Sequence, residues 1–323
     1  MDSVVEKLLS DGVIVCPDCR GALRASGDSR IDCAACGRTY PLAGGTPVLL
    51  HRDSAFTAEQ VASSDGTYFA DSASENRLKR RIRRGLPALA KEYTRASVDE
   101  IVRRELRQKQ DQPRGLVIGA GERTGSMADR FSGVDWLTTD VDLSYGAQLV
   151  ADALGLPVAD ASMDIVVAEM VLEHIIDPGR AALELERVCK PGGLLLARVP
   201  FCFPWHGAPI DFFRCSPSGL RALFRSAETI YIGKCMGPWG ALAYQLDSLL
   251  VEATTVRQIR LASAFASRFL FGWLKWLDRL SPSGGRDMIS TSAVTFVGRR
   301  REQNFTAREI LSELEQLFGA SAT

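Results

Sequence analysis

The stretch that most constrains the fold of this chain runs from residue 115 to 125 and reads GLVIGAGERTG. Its apolar run at 116–118 suits a strand that is buried on both faces of a parallel sheet. The run breaks into Gly119, Ala120 and Gly121, where a backbone without Cβ can bend sharply and let a ligand approach closely. A helix-compatible segment follows, and the N-terminus of a helix offers free backbone N–H groups. The stretch therefore predicts the first strand, turn and helix of a nucleotide-cofactor fold.

Strand-like and helix-like segments alternate after this turn. Residues 134–140 predict a second strand that ends at Asp140, and residues 164–168 predict a buried strand that leads into Glu169. A helix then ends on the turn Lys-Pro-Gly-Gly at 190–193, and the next strand follows directly. This alternation predicts an α/β fold, a Rossmann-like doubly wound parallel sheet with right-handed connections.

Four of the eight cysteines, Cys16, Cys19, Cys33 and Cys36, have the spacing C-x2-C-x13-C-x2-C. This spacing lets four thiolates converge tetrahedrally on one zinc ion, and a site with four protein ligands is structural rather than catalytic. The alternatives are two disulfides or four idle thiols. Disulfides are disfavoured in a chain without a secretion signal, and idle cysteines rarely occur as two such closely spaced pairs. The scattered remainder are expected to be free thiols: Cys189, Cys202, Cys215 and Cys235.

The cysteine segment resembles the small zinc-ribbon modules that are attached to some tRNA, rRNA and other methyltransferases. The resemblance covers about residues 12–51, from VCPDCRGALR through IDCAACGRTYPLAGGTPVLL. It implies a folding nucleus or a docking surface rather than chemistry.

Three segments are expected along the chain: a zinc-ribbon domain at 1–51, a helical connector at 52–112 and the α/β cofactor domain at 113–323, with a helical insertion at about 239–280. The connector carries six basic residues between 77 and 84. A contact with nucleic acid or phosphate is one interpretation of this cluster. A solvated helix face is favoured, because no aromatic residues are interleaved for base stacking.

Charge and hydropathy exclude some function classes. The net charge is +0, so no global field draws the chain to nucleic acid or membrane. The N-terminal residues carry acids and lack a basic-then-apolar signal peptide, and no apolar run reaches membrane-spanning length. We expect a cytoplasmic protein.

Residues 113–235 resemble a class I S-adenosylmethionine-dependent methyltransferase of the methyltransferase type 11 kind. The motifs are VIGAG, TTDVD, VADALGLPVADASMDIVVAEMVLEHIIDP and ALELERVCKPGGLLLARVP. A dehydrogenase would be expected to show a third glycine at position 124, where this chain has Thr124. The resemblance implies that S-adenosylmethionine is the cofactor. It also implies a role for each matching residue. The glycine turn at Gly119, Ala120 and Gly121 passes the methionine part of the cofactor, and Asp140 binds the ribose hydroxyls, with Asp142 as a neighbouring candidate. Asp152 and Ala153 meet the adenine, and Glu169 lies by the methyl group.

One position departs from this family. Val117 stands where the family usually carries Asp or Glu, two residues before the first glycine, and that carboxylate ordinarily helps to hold the amino-acid part of the cofactor. A non-catalytic scaffold protein with a degenerate cofactor fold is one interpretation of Val117. The other motifs are intact, which favours an enzyme.

The candidate substrate side is the segment VPFCFPWHGAPIDFFRCSPSGLRALF after the fifth strand. It resembles the HGxPxDYFRYT-type segment of methyltransferases that act on polysaccharides, other glycans or secondary metabolites. His206 or His174 suits a general base at neutral pH. Asp211 would orient the histidine or take the proton, and Arg214 would bind a substrate carboxylate or phosphate. Alternatively, Asp211 and Arg214 simply pair to fix the loop.

Residues 239–280 predict an apolar helical pair that is rich in Trp, Phe and Leu. An interfacial helix that contacts a membrane or a lipid-linked substrate is one interpretation. A cap over the substrate pocket or a homodimer face is favoured. A last strand and a terminal helix follow.

These features predict an S-adenosylmethionine-dependent enzyme that O-methylates a sugar, a glycan-linked acceptor or a secondary metabolite. The first rival is an RNA methyltransferase that docks through the zinc ribbon. The neutral net charge and the absence of an Asn-Pro-Pro-Tyr-type motif count against it. The second rival is the scaffold protein.

The cysteine assignment predicts about one zinc per chain in purified protein, measured by elemental analysis. The variant Cys16→Ser should lose this zinc and destabilise the N-terminal segment, because three thiolates no longer close the site. Cys202→Ser removes a scattered cysteine and should retain the metal. Full zinc retention in a variant that lacks two of the four clustered thiols would rule the site out.

Overall fold

The computed structural model describes residues 1–27, 29–62, 86–109, 112–121, 126–207, 209–280 and 288–319. The basic cluster at 77–84 and Thr124 lie outside these residues.

The N-terminal cysteine segment folds as a helix and a small antiparallel sheet. Helix α1 (Ser3–Ser10) begins at Asp2, whose side chain accepts a hydrogen bond from the Val4 amide at 2.8 Å. Four strands follow in the order β1-β2-β3-β4: β1 (Leu23–Ser26), β2 (Arg30–Cys33), β3 (Thr39–Ala43) and β4 (Thr46–Pro47). The Gly44-Gly45 turn between the last two has positive φ at both residues, a conformation that favours glycine.

Seven strands build the large sheet: β5 (Arg114–Ile118), β6 (Asp135–Asp140), β7 (Leu149–Val150), β8 (Met163–Glu169), β9 (Cys189–Pro200), β10 (Ala227–Met236) and β11 (Ala293–Arg300). Their order is β10-β11-β9-β8-β5-β6-β7. Strands β5 to β9 pair in parallel, whereas β11 runs antiparallel to both β9 and β10. The predicted Rossmann-like, doubly wound sheet is confirmed.

The described helices after the cysteine segment are α2 (Ala58–Ala62), α3 (Arg95–Leu106), α4 (Ser126–Arg130), α5 (Pro178–Val188), α6 (Pro217–Leu223), α7 (Pro238–Glu252), α8 (Arg257–Phe271) and α9 (Ala307–Phe318). Helices α5 and α6 each start with proline in the first turn behind a capping side chain, Asp177 or Ser216. Proline suits that position because its missing N–H would have no intrahelical partner there. None of the helices in the described ranges combines the length and apolar character that a bilayer-spanning segment requires.

The Lys-Pro-Gly-Gly segment at 190–193 differs from the prediction of a turn between helix and strand. Helix α5 ends at Val188, and the four residues lie inside β9 as a bulge. Cys189 pairs with Met163 and Leu194 with Ile165, so the bulged strand carries extra residues between the two pairs. The hydrogen bonds of the sheet therefore begin before the glycines, which accommodate the bulge.

The cysteine segment continues into the edge of the large sheet. Val48 forms a parallel bridge with Val150, and the Leu49 amide donates to the Val150 carbonyl at 2.9 Å. Ile14 pairs with Val158 in the same region. Ile14, Leu49 and Leu149 are fully buried in one apolar cluster that also contains residues of β5 and β8. The small sheet and the large sheet thus share a core.

Helices α7 and α8 form the predicted helical pair, and the two differ in what they cover. Tyr244 of α7 packs on Phe203, with ring centroids 4.6 Å apart, so α7 covers the segment after β9. Helix α8 turns large apolar side chains outward, among them Phe265 and Phe269, each more than half exposed. Only α7 therefore has the position of a cap.

Candidate functional site

The predicted cofactor residues lie at the carboxyl ends of adjacent parallel strands. The strand order reverses between β5 and β8, and a crevice outside the carboxyl ends of the strands at such a switch point is where doubly wound sheets bind ligands. The glycine turn follows β5, Asp140 ends β6, Asp152 follows β7 and Glu169 ends β8. The structure brings all of them to one edge of the sheet.

The two glycines of the turn are required for different reasons. Gly119 has φ +58°, and a Cβ there would lie 2.4 Å from Cγ2 of Val171. Gly121 has φ +50°, and a Cβ there would meet nothing within 4 Å. The backbone at Gly121 is thus open to an approaching ligand, whereas Gly119 lets β5 pack against the segment after β8. Ala120 is buried between them.

Asp140 closes the turn by accepting hydrogen bonds. Its Oδ2 accepts from the Gly121 amide at 2.9 Å, and its Oδ1 accepts from the Asp142 amide at 3.1 Å. Burial raises the pKa of Asp140, against the lowering effect of these amides. Each carboxylate oxygen can accept a second bond, so Asp140 retains capacity for ribose hydroxyls. Asp142 instead caps the next turn by accepting from the Ser144 amide at 2.8 Å.

Asp152, the residue predicted to meet the adenine, is held by the segment that follows the cysteine module. Its Oδ2 accepts a 2.7 Å hydrogen bond from Ser54 Oγ and lies 3.3 Å from His51 Nε2. Burial acts to raise the pKa of Asp152, but hydrogen bonds from His51, Leu154 and Ser54 lower it overall. Ala153 beside it is buried in the main apolar cluster. Sequence reasoning missed His51 and Ser54, which carry no motif.

Glu169 belongs to a buried network of ion pairs. Arg130 Nη1 lies 2.8 Å from Glu169 Oε2, and Arg198 Nε lies 3.2 Å from Oε1. Arg130 also pairs with Asp99 at 2.7 Å, and Arg198 with Glu92 at 3.0 Å. The Glu169 and Arg198 side chains are 3% and 2% exposed. The two arginines thus compensate the charge of the carboxylate at the end of β8.

Val117 faces the apolar layer beneath this network. It is buried in one cluster with Val98 and Val102 of α3 and Ile165 of β8. An ionised carboxylate at 117 would lose hydration in that apolar cluster at a large energetic cost. The valine is therefore consistent with its surroundings. The charged side chains near Glu169 belong to other elements: Asp99 of α3, Arg130 of α4 and Arg198 of β9.

The two predicted histidines, His174 after β8 and His206 after β9, contact each other. The rings of His174 and His206 are 5.2 Å apart in an edge-to-face arrangement. Glu173 Oε1 lies 3.9 Å from His174 Nε2 and 4.0 Å from His206 Nε2. Phe203 packs edge-on against His206 at 5.1 Å. The third histidine, His51, lies instead at Asp152.

Asp211 and Arg214 fix the loop that carries His206. Asp211 accepts from the His206 amide and from Arg214 Nη2, each at 2.7 Å, and also contacts Arg214 Nη1. Arg214 donates further to the carbonyls of Phe203 and Pro204 at 3.1 and 2.9 Å. Burial lowers the pKa of His206 below its usual 6.5, with help from His174 and Arg214, although Asp211 opposes the shift. The imidazole is therefore predominantly neutral at pH 7.

The four clustered cysteines converge as the spacing predicts. Cys16 Sγ lies 3.8 Å from Cys36 Sγ, and Cys19 Sγ lies 3.5 Å from Cys33 Sγ. Four thiolates around one zinc, with bonds of about 2.3 Å, stand about 3.8 Å apart, so the set fits the metal. Tyr40 Oη lies 3.1 Å from Cys16 Sγ and is placed to support it. The eight cysteines, all within the described residues, form no disulfide.

Comparison with known proteins identifies the central part of the sheet. Residues 116–197 match the family model described as a methyltransferase domain. The chain is 30% identical over 132 residues to a protein of Mycolicibacterium smegmatis described as a probable S-adenosylmethionine-dependent methyltransferase, covering 36% of this chain and 49% of that one. It is 43% identical over 49 residues to an uncharacterized methyltransferase of a Mycobacterium species, covering 15% of this chain and 19% of that one. The chain thus spans under half the length of these curated relatives.

Solved structures give weaker alignments. A chain from the complex of the Haloferax volcanii Trm112 methyltransferase activator with a methyltransferase aligns with a TM-score of 0.44 and 16% identity, over 74% of this chain and 100% of that one. The geranyl diphosphate C-methyltransferase of Streptomyces coelicolor aligns with a TM-score of 0.40 and 13% identity, over 64% and 76%. The strand order, rather than these alignments, establishes the fold.

The arginine network predicts a large stability cost for Glu169→Gln. Removing the charge leaves Arg130 with Asp99 and Arg198 with Glu92 as their remaining carboxylates, and removing one partner of a buried ion pair costs up to about 3–5 kcal/mol. Urea unfolding of protein whose four-cysteine site is saturated with zinc measures the loss in the free energy of unfolding. Glu252→Gln is the matched control, because Glu252 pairs with Arg260 at 2.8 Å on the surface and should change the free energy of unfolding by less than about 0.5 kcal/mol. Equal effects of the two substitutions would contradict a compensating role for the network.

Proposed function

We propose that this chain, in which residues 116–197 form a class I S-adenosylmethionine-dependent methyltransferase domain, transfers the methyl group of that cofactor to a hydroxyl oxygen. The observation that carries this proposal is the shared edge of the sheet: the glycine turn follows β5, Asp140 ends β6, and the Glu173–His174–His206 cluster is built from the segments after β8 and β9. The acceptor we propose is a sugar, a glycan-linked hydroxyl or a secondary metabolite.

The cofactor would lie in the crevice at the switch point of the sheet. The open backbone at Gly121 leaves room for the methionine part, and Asp140 has acceptor capacity for the ribose. Asp152 and Ala153 stand where the adenine would come, and Glu169 stands at the end of β8. Bound S-adenosylmethionine supplies an activated methyl group, so the main task of the protein is to align the acceptor oxygen for in-line attack.

A hydroxyl acceptor needs a base, and His206 is our candidate. Its lowered pKa keeps it neutral near pH 7, so it can take the hydroxyl proton at Nε2. Asp211 Oδ2 lies 3.3 Å from Nδ1 and would stabilise the resulting imidazolium. Arg214 is engaged with Asp211 and backbone carbonyls, so we assign it a positioning role. His174 would hold His206 in place through the edge-to-face contact.

The exposed face of α8 and the short 3-10 helix after it (Leu274–Arg279) bear on the kind of acceptor. Leu270 of α8 and Trp273, which precedes the 3-10 helix, are each more than half exposed. Trp276 lies 5.2–5.7 Å from three cations: Lys91, Lys275 and Arg279. Aromatic side chains with neighbouring cations are typical of helices that lie in the interface of anionic membranes. If the acceptor were a lipid-linked glycan, the membrane that holds its lipid would lie next to α7, the helix that covers Phe203.

Calorimetric titration with S-adenosylmethionine and S-adenosylhomocysteine tests the cofactor site. We expect wild type to bind both ligands and Asp140→Ala to bind both more weakly, because it loses the acceptor for the ribose and for the Gly121 amide. Glu252→Gln, far along the chain on the surface, should bind as wild type does. If neither ligand binds wild type, the scaffold interpretation replaces the enzyme.

The base assignment predicts a pH dependence. A base acts in its neutral form, and the pKa of His206 is lowered, so kcat/KM should rise with pH to a plateau, with a midpoint below 6.5. The variant His206→Ala should reduce kcat by about 10²–10⁴-fold and leave the Kd for S-adenosylmethionine nearly unchanged. Unaltered turnover would remove His206 from the mechanism.

A further inference from the structure

We propose that Glu173, His174 and His206 form a binding site for one divalent transition-metal ion, distinct from the four-cysteine site. Each residue offers one ligand atom, and these atoms all lie within 4.8 Å of one another. Two imidazole nitrogens and one carboxylate oxygen are donors that suit Zn²⁺, Co²⁺ or Fe²⁺ better than Mg²⁺ or Ca²⁺.

The distances are close to those of a coordinated ion. Glu173 Oε1 stands 3.9 and 4.0 Å from the Nε2 atoms of His174 and His206. Ligands bound tetrahedrally at about 2.1 Å stand about 3.4 Å apart. A contraction of about half an ångström would bring Glu173 Oε1 into range of each nitrogen, and all three ligand atoms already lie within 4.8 Å of one another. The His206 side chain is 37% exposed and thus less confined than that of Glu173, which is fully buried.

His174 is held in the tautomer that a metal requires. Its Nδ1 lies 2.5 Å from the carbonyl oxygen of Ile210. A carbonyl only accepts hydrogen bonds, so Nδ1 carries the proton and Nε2 has the free electron pair. A ring N–H donated to a backbone carbonyl is the usual support of a metal-binding histidine. This Nε2 is the atom that lies 3.9 Å from Glu173 Oε1.

His206 has the corresponding carboxylate support. Its Nδ1 lies 3.3 Å from both Asp211 Oδ2 and Arg214 Nη2. The two hydrogens of Nη2 are used by the Pro204 carbonyl at 2.9 Å and by Asp211 Oδ2 at 2.7 Å. Nδ1 is therefore the donor, with the Pro204 carbonyl oxygen at 3.4 Å and Asp211 Oδ2 at 3.3 Å as the acceptors within reach, and Nε2 keeps its electron pair. Carboxylate, histidine and metal in this order recur in zinc sites.

Burial of the carboxylate favours the same conclusion. Glu173 is completely buried. A divalent ion between the three side chains would place positive charge beside this carboxylate, and nearby positive charge stabilises the ionised form of a carboxylate. Asp211, the other carboxylate of the region, pairs with Arg214.

The ligand count separates this site from the cysteine site. Three protein ligands leave a coordination position open, as in catalytic zinc sites, whereas four cysteines close theirs. What the open position does rests on the proposed function: an acceptor hydroxyl there would be oriented and acidified, and its proton would pass to solvent water as the oxygen takes the methyl group. His206 would then be a ligand rather than the base, and loss of turnover in His206→Ala is expected in either case.

Metal titration tests the site without reference to turnover. Protein with zinc in the cysteine site is titrated with Co²⁺, and visible absorption reports the ligands, since thiolates add a charge-transfer band that nitrogen and oxygen ligands lack. We expect one equivalent of Co²⁺ without that band. Asp211→Asn should weaken binding about 10–100-fold by removing the support of His206. Glu173→Gln and His206→Ala should weaken it further.

His51→Gln is the matched control, because it removes the third histidine and should leave cobalt binding unchanged. The proposal would be overturned if wild type bound no additional equivalent of Co²⁺. It would also be overturned if Glu173→Gln and His206→Ala bound Co²⁺ with the same affinity as wild type. His206→Ala should fold even if Glu173→Gln does not, because the His206 side chain is partly exposed whereas Glu173 is buried. Cofactor binding and methyl transfer without Co²⁺ binding would overturn the metal site alone. Co²⁺ binding without cofactor binding would overturn the proposed function and leave the metal site standing.

Discussion

The pairing of Val48 and Leu49 with Val150 is the contact on which the arrangement of the molecule depends. It adds the chain after the cysteine module to the edge of the large sheet through backbone hydrogen bonds. An edge strand with unpaired backbone groups readily accepts such an addition. The same contact carries His51 and Ser54 onto Asp152, so the cysteine module and the predicted adenine end of the crevice are mechanically joined.

Two buried carboxylates near the end of β8 are handled differently by the fold. Glu169 is matched by Arg130 and Arg198, which pack into the same apolar surroundings. Glu173 instead lies 3.9 and 4.0 Å from the imidazole nitrogens of His174 and His206. A permanent guanidinium charge makes the first a fixed structural element. The second has imidazole nitrogens beside it, which are donors to a metal ion where guanidinium groups are not.

Much of the candidate site was predictable because parallel strands bring their carboxyl ends to one edge. Asp140 and the glycine turn follow from strand order alone, and the cysteine spacing determines the convergence of the thiols. The bulge in β9 was not predictable, because glycines and proline indicate a turn as readily as a bulge. The contacts of His51 and of Arg198 were also missed, since each joins segments about one hundred residues apart in the chain.

The sequence by itself determined the doubly wound sheet, the position of the glycine turn and the four-cysteine cluster, because each depends on residues that are near one another in the chain. The tertiary structure alone decided which charges meet. It set Arg214 on Asp211 and the loop carbonyls, turned α7 onto Phe203 and left α8 open to solvent. It also aimed the Nε2 atoms of His174 and His206 at Glu173. Side-chain direction depends on packing between distant elements, which no local pattern records.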